Sequence, residues 1–150
     1  MSTNARIGVL DPETNTVRSI YTHWDGYPEA PGNGSILLEH YCYFPEADKK
    51  VAELIELGHI SSLAETIEET VAYHRDRQEP KRIDEHPHDE WPDDFGGIEW
   101  EYVFTPNAAE VGGGRWLARA VTWSEARGNG REPWDLLESV VAKAEEGEED

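Results

Sequence analysis

The sequence predicts an α+β domain: a four-stranded antiparallel sheet, built from an N-terminal and a C-terminal hairpin and covered by three to four helices. Three observations carry this. Alternating stretches rich in β-branched and aromatic residues lie near the start, at 6–10 and 17–24, and again at 98–105 and 115–123. Apolar residues at helical spacing fill the region between them. A further helical stripe follows the second hairpin. We expect one domain over residues 1–150, a length that supports a proper core.

Residues 1–5 are a polar start, and the first strand spans 6–10. Asp11-Pro12-Glu13-Thr14-Asn15 supplies turn chemistry that returns the chain into the second strand. That strand ends at Asp25-Gly26, and Pro28, lacking an N–H, blocks any return to a ladder. Residues 29–34 are rich in breakers and read as a connector, since the glycines lack the spacing of a phosphate-binding loop.

Ser35 is a candidate N-cap for a short helix through Leu37, Leu38 and Tyr41. A clearer helix spans 47–57, with Ala47, Val51, Leu54 and Ile55 on one face and Gly58 as the stop. Thr66-Ile67-Glu68-Glu69 is a capping box opening a helix to about residue 77, with Ile67 and Val71 inward and His74 on their stripe.

Residues 78–97 read as a loose acidic loop. It holds His86-Pro87-His88-Asp89-Glu90, which lacks the third well-spaced ligand of a metal site, so we expect neither metal nor cofactor. Trp91 and Phe95 must pack against the body or a partner. In 98–105, Ile98, Trp100, Tyr102 and Phe104 share one face and Glu99 and Glu101 the other, the pattern of a half-buried strand. A loop closing in Gly112-Gly113-Gly114 leads to the return strand, and 124–131 is a polar connector. Pro133 suits a helix start, followed by a stripe of Leu137, Val140, Val141 and Ala144. Residues 145–150 form an acidic tail expected to fray.

The net charge of −19, from 32 acidic against 13 basic residues, argues against direct nucleic-acid binding and against anionic membranes, because no basic stripe is available to neutralise phosphates. It suits a partner protein with a basic surface, a solvating acidic shell adapted to high salt, or plain solubility. Cys42, the single cysteine, sits in an aromatic stretch and reads as a small buried hydrophobe. No apolar run approaches the ~18 residues of a membrane span and no secretory signal pattern is present, so we expect a reducing cytoplasm.

The candidate site is the turn after the second strand, where His23, Trp24, Asp25 and Tyr27 gather an imidazole, an indole, a carboxylate and a phenol on a rigid support. A His23–Asp25 acid–base pair has no identifiable nucleophile beside it, so no catalytic residue is assigned and we expect no enzyme. Trp24, Tyr27 and Trp91 are candidate interface anchors.

Arg6-Ile7-Gly8, Ser19-Ile20-Tyr21 with His23-Trp24-Asp25-Gly26-Tyr27-Pro28, Leu37-Leu38-Glu39-His40-Tyr41, Leu54-Ile55-Glu56-Leu57-Gly58 with Ile60-Ser61-Ser62-Leu63, Glu68-Glu69-Thr70-Val71-Ala72-Tyr73-His74-Arg75-Asp76-Arg77 and, more weakly, Tyr102-Val103-Phe104 with Arg115-Trp116 carry a resemblance. In them the chain resembles a group of small uncharacterised tailed-bacteriophage proteins, over most of positions 6–77. The resemblance implies an accessory phage gene product acting in the host cytoplasm, and it transfers no catalytic residues. The expected function is therefore a non-enzymatic acidic protein that binds and modulates a host protein, such as a defence or nucleic-acid-acting factor. The alternative is a nucleotide-like small molecule held in a pocket at the His23–Pro28 turn.

Overall fold

The computed structural model describes residues 3–42, 47–92, 97–106, 114–124 and 128–148. The expectations for Asp93, Asp94, Phe95, the 107–113 loop and the last two residues of the tail fall outside that set. Among the described residues the elements are β1 (Asn4–Asp11), β2 (Thr16–Thr22), α1 (Asn33–His40), α2 (Ala47–Glu56), β3 (Ile60–Ser62), β4 (Val71–Ala72), α3 (Tyr73–Arg77), β5 (Asp84–Pro87), β6 (Ile98–Thr105), β7 (Arg115–Ser124), β8 (Gly128–Arg131), β9 (Asp135–Leu136) and α4 (Leu137–Glu148).

The class is α+β, but the four-stranded antiparallel sheet is wrong. The sheet is mixed and nine-stranded, in the order β4-β3-β2-β1-β6-β7-β8, with β5 also on β2 and β9 also on β7. Both hairpins form, and they join through β1 and β6 in parallel register rather than antiparallel. β5 and β8 are short and polar, with no strand propensity of their own. They form because β2 and β7 would otherwise present unpaired backbone groups at the sheet margins. Thus β5 arises inside the 78–97 stretch and β8 inside the 124–131 connector.

The expected helix over 66–77 is also corrected. Its capping box exists, since the Glu69 N–H donates to Thr66 Oγ1 at 3.2 Å, but it closes a single turn. Val71 and Ala72 then pair with β3, and helix resumes only for Tyr73–Arg77. The pull is tertiary: β-branched Val71 lies beside a short strand that needs a partner. His74 is consequently exposed, donating from Nδ1 to the Glu79 carbonyl at 2.8 Å, rather than lying on an inward stripe. Ser35 does not cap α1; it lies inside the helix, whose N-cap is Gly32.

One face of the sheet carries the main core. Ala5, Ile7, Ile20, Tyr102, Phe104, Trp116 and Ala118 pack with Leu37 and Tyr41, with Val51, Leu54 and Ile55 of α2, and with Leu137 and Val141 of α4. Cys42 packs at the margin of this core, where burial pushes its thiol pKa up, as a small hydrophobe rather than a nucleophile. The other face is not solvent. Val17, Val103 and Trp91 form a second apolar cluster with Leu10, Leu117 and Trp134. Glu101, expected to face water, is completely buried there. Ile98 leaves the Trp100 face, because a bulge at Asn4/Ala5 shifts the β1–β6 register, and it joins Tyr21 and Val121.

Candidate functional site

The turn after β2 is held from several sides. The Trp24 N–H donates to the Ser61 carbonyl at 3.0 Å, the Gly26 N–H to Thr3 at 2.8 Å, and the Asn33 N–H to Asp25 at 2.7 Å. The buried Tyr102 hydroxyl donates to the Gly26 carbonyl at 2.6 Å. Burial holds that phenol's pKa well above its usual value, so it remains a donor. The left-handed residue is Asp25, at φ 59°, not Gly26. Gly26 is needed for closeness: a Cβ there would sit 2.7 Å from the Thr3 carbonyl oxygen.

The four turn residues divide their contacts. His23 Nδ1 and the Tyr21 hydroxyl are 2.8 Å apart, and the His23 ring meets Trp24 edge-on at 4.7 Å. The Tyr27 hydroxyl donates to Asp25 Oδ1 at 3.3 Å. His23 and Asp25 therefore pair with tyrosines and not with each other, so the acid–base pair that catalysis would need is not assembled. Trp24 is the exposed large hydrophobic residue among those described, at 46%. Trp91 is elsewhere: it is 5% exposed, packs over Gly8 and Val17 near the opposite end of β2, and does not share a site with the turn.

Gly32 sets the return of the chain into α1. A Cβ built there would lie 2.1 Å from the Tyr27 carbonyl oxygen and 2.7 Å from that of Glu29. Gly32→Ala is expected to displace Tyr27 and cost on the order of 1–3 kcal/mol or more. A thermal melt with near-UV circular dichroism checks this, and an unchanged Tm and aromatic spectrum would show that the turn is not held tightly.

Sequence reasoning missed a charged network on the second face of the sheet. Arg6 and Glu101 occupy facing positions on β1 and β6, and Glu101 and Arg119 on β6 and β7. Glu101 Oε1 accepts from Arg119 Nε at 2.8 Å and from Arg131 Nε at 3.0 Å. Arg131 also donates to the Trp91 carbonyl at 2.9 Å, tying β8 to the chain after β5. Arg6, fully buried, pairs with Asp84 at 2.9 Å and donates to Ser19 Oγ at 3.1 Å. Ser19 Oγ and His86 Nε2 are 2.8 Å apart, and His86 Nδ1 is 2.9 Å from the Pro87 carbonyl. A carbonyl only accepts, so Nδ1 carries the proton and neutral Nε2 accepts from Ser19.

This has the outline of a serine–histidine nucleophile pair. Ser19 is nevertheless completely buried and the Trp91 ring packs edge-on to His86 at 5.0 Å, so no acyl substrate reaches the hydroxyl. His86 and His88 turn inward rather than toward a shared ligand, and His88 stacks on Trp134 at 5.4 Å.

Burial is the main cause depressing both His86 and His88 below the usual histidine pKa, with Arg6 adding to the first and Arg119 to the second. The folded state therefore resists protonation that the unfolded chain accepts near pH 6.5. Stability contributed by these two groups is complete above that pH and is lost as pH falls below it. We expect Tm to fall as pH drops below about 6.5, and His86→Gln to flatten the profile. Lowered Asp84 adds a separate loss only at more acidic pH, below the ordinary carboxylate range.

Beside the turn lies a cavity of about 400 Å³ lined by Tyr21, His59, Tyr73, Glu79, Pro80 and Arg82. Of its lining residues, Tyr21 also meets the predicted site, through the hydroxyl that lies 2.8 Å from His23 Nδ1. Comparisons with protein-family models, with curated proteins and with solved structures return no match.

Proposed function

We propose that this chain is a non-enzymatic binding protein that captures a basic surface of a host protein, as an accessory factor of a tailed bacteriophage, with the Trp24 turn as its anchor. The observation that carries the reading is Trp24, exposed at 46% on a turn fixed by bonds to Thr3, Ser61, Asn33 and Tyr102. A large aromatic held in place loses little freedom on binding, which is what interface hot spots exploit.

The charge distribution supports the same reading. Arg6, Arg119 and Arg131 are drawn into the network around Glu101 and Asp84, so they do little to offset the acidic residues outside. Asp25 beside Trp24, and Glu65, Glu68 and Glu69 beyond β3, are exposed. Such a surface steers rapid encounter with a cationic partner and weakens as salt screens it.

The test is recovery of the tagged chain from infected host cells, followed by native mass spectrometry at low and high ionic strength. The expected result is a host protein with a basic surface that co-purifies and is released by salt. Recovery of the chain alone at every ionic strength would remove the basis for the reading.

A further inference from the structure

A second cavity, of about 630 Å³, lies between the sheet and α4 and shares no lining residue with the Trp24 turn. Its size falls within the range of small-molecule sites. Alanines make the room. Trp100 on β6 stands opposite Ala120 on β7, and Ala118 lies two residues away on the same face. From the other side α4 supplies Val140 and, one turn later, Ala144. Larger side chains at 118, 120 and 144 would fill the hollow. With alanine there, the half-buried Trp100 indole remains as an aromatic wall.

The charges on the lining are not equivalent. Arg119 Nε donates to Glu101 Oε1 at 2.8 Å, and its guanidinium lies over the Trp134 ring, 4.1 Å from the centre. Lys143 Nζ meets Asp135 Oδ2 at 3.5 Å. Both cations of the lining are therefore paired, and so is Asp135. Glu132 is exposed, and its carboxylate has neither an ion pair nor a hydrogen bond among the described residues. The surrounding chain has the same sign: Glu132, Asp135, Glu138, Glu145 and Glu146 stand against Lys143 over residues 132–146.

The aromatic wall points the same way. The negative face of an indole attracts cations more strongly than that of any other side chain. Trp134 already holds the Arg119 guanidinium, whereas Trp100 has no such cation over it among the described residues. The lining thus combines one uncovered indole, one uncompensated carboxylate and an apolar floor.

We propose that this cavity binds a small organic cation with a flat aromatic body, the ring against Trp100 and the positive charge toward Glu132. The site is independent of the protein-capture surface at Trp24. An N–H cation, such as an amidinium or protonated amine, and a quaternary ammonium share this chemistry.

The experiment titrates the full chain with benzamidinium, phenyltrimethylammonium and uncharged benzamide, followed by ¹H–¹⁵N correlation spectra that include the indole N–H signals. Titration runs to about 10 mM, because molecules this small bind in the millimolar range. The expected result is that one or both cations shift the Trp100 indole N–H and the amides of Ala120, Glu132 and Ala144, with benzamide at least about tenfold weaker. The tighter cation shows which charged group the site takes. Glu132→Gln, at an exposed and unpaired position, should leave the spectrum of the free chain otherwise unchanged and lower cation binding to the level of benzamide. Ala144→Leu, which fills the hollow, should abolish the shifts from all three. No shift from either cation, equal binding of benzamide, or shifts that spread over the acidic surface and persist in Glu132→Gln would overturn the proposal.

Discussion

Replacing Glu101 by Gln is expected to destabilise the protein by about 3–5 kcal/mol, the range for removing one partner of a buried ion pair. Glutamine keeps the shape, so the loss is electrostatic. Glu101 is completely buried and accepts from both Arg119 and Arg131, whose side chains are 12% and 25% exposed. Without the carboxylate, two guanidinium groups face each other on a sheet face that Trp91, Trp134 and Leu117 shield from water. Burial already pulls the Arg119 pKa down, with Arg131 pulling the same way and Glu101 opposing. In a domain of this size the change corresponds to roughly 6–20 °C in Tm. Urea denaturation of Glu101→Gln checks it, and a cost under about 1 kcal/mol would show that water reaches the pair. Converting the carboxylate and Arg119 together to Met should recover much of the loss, since an apolar replacement leaves less unpaired charge.

The second large effect concerns binding. Trp24→Ala is expected to weaken partner capture by at least about 2 kcal/mol, roughly thirtyfold, while changing folding stability by no more than about 0.5 kcal/mol. The asymmetry follows from position. Trp24 is 46% exposed and packs mainly on His23, so its removal opens no core cavity. Its backbone remains fixed through Ser61, which the substitution leaves intact. Asp25→Asn should instead slow association and reduce the salt dependence, with a smaller change in dissociation. Paired denaturation and binding measurements separate these outcomes.

Much of the fold was legible because period and punctuation agree there. Both long hairpins, α2 with its Gly58 stop at φ +78°, and the stripe of α4 follow from alternation, helical spacing and turn residues. The turn after β2 was legible as a rigid feature because Asp, Gly and Pro cluster there. What was not legible is non-local. Arg6, Glu101 and Arg119 each stand between apolar residues in a strand, and such a residue reads as solvent-facing. The β6–β7 pairing sets Arg119 beside Glu101, while Arg6 on β1 meets Asp84 from the distant 78–97 stretch. The same holds for β5 and β8, whose sequences resemble loops, and for β4, which lies in a stretch that reads as helix; they exist because β2, β7 and β3 offer unpaired edges. The Tyr21 cavity was hidden for the same reason, since its lining comes from β2, from the start of β3 and from the chain around α3. His59 and Tyr73 carried no local signal at all.

The measurement that bears most directly on the capture reading is hydroxyl-radical footprinting of the chain alone and in complex with its recovered host partner. Trp24 is exposed and oxidisable when free, so the account predicts a several-fold fall in its oxidation on binding, with Tyr27 following. Trp134, in the separate cluster with Trp91 and Val17, should be unchanged. Equal oxidation of Trp24 in both states, with protection elsewhere, would contradict the placement of the interface at this turn.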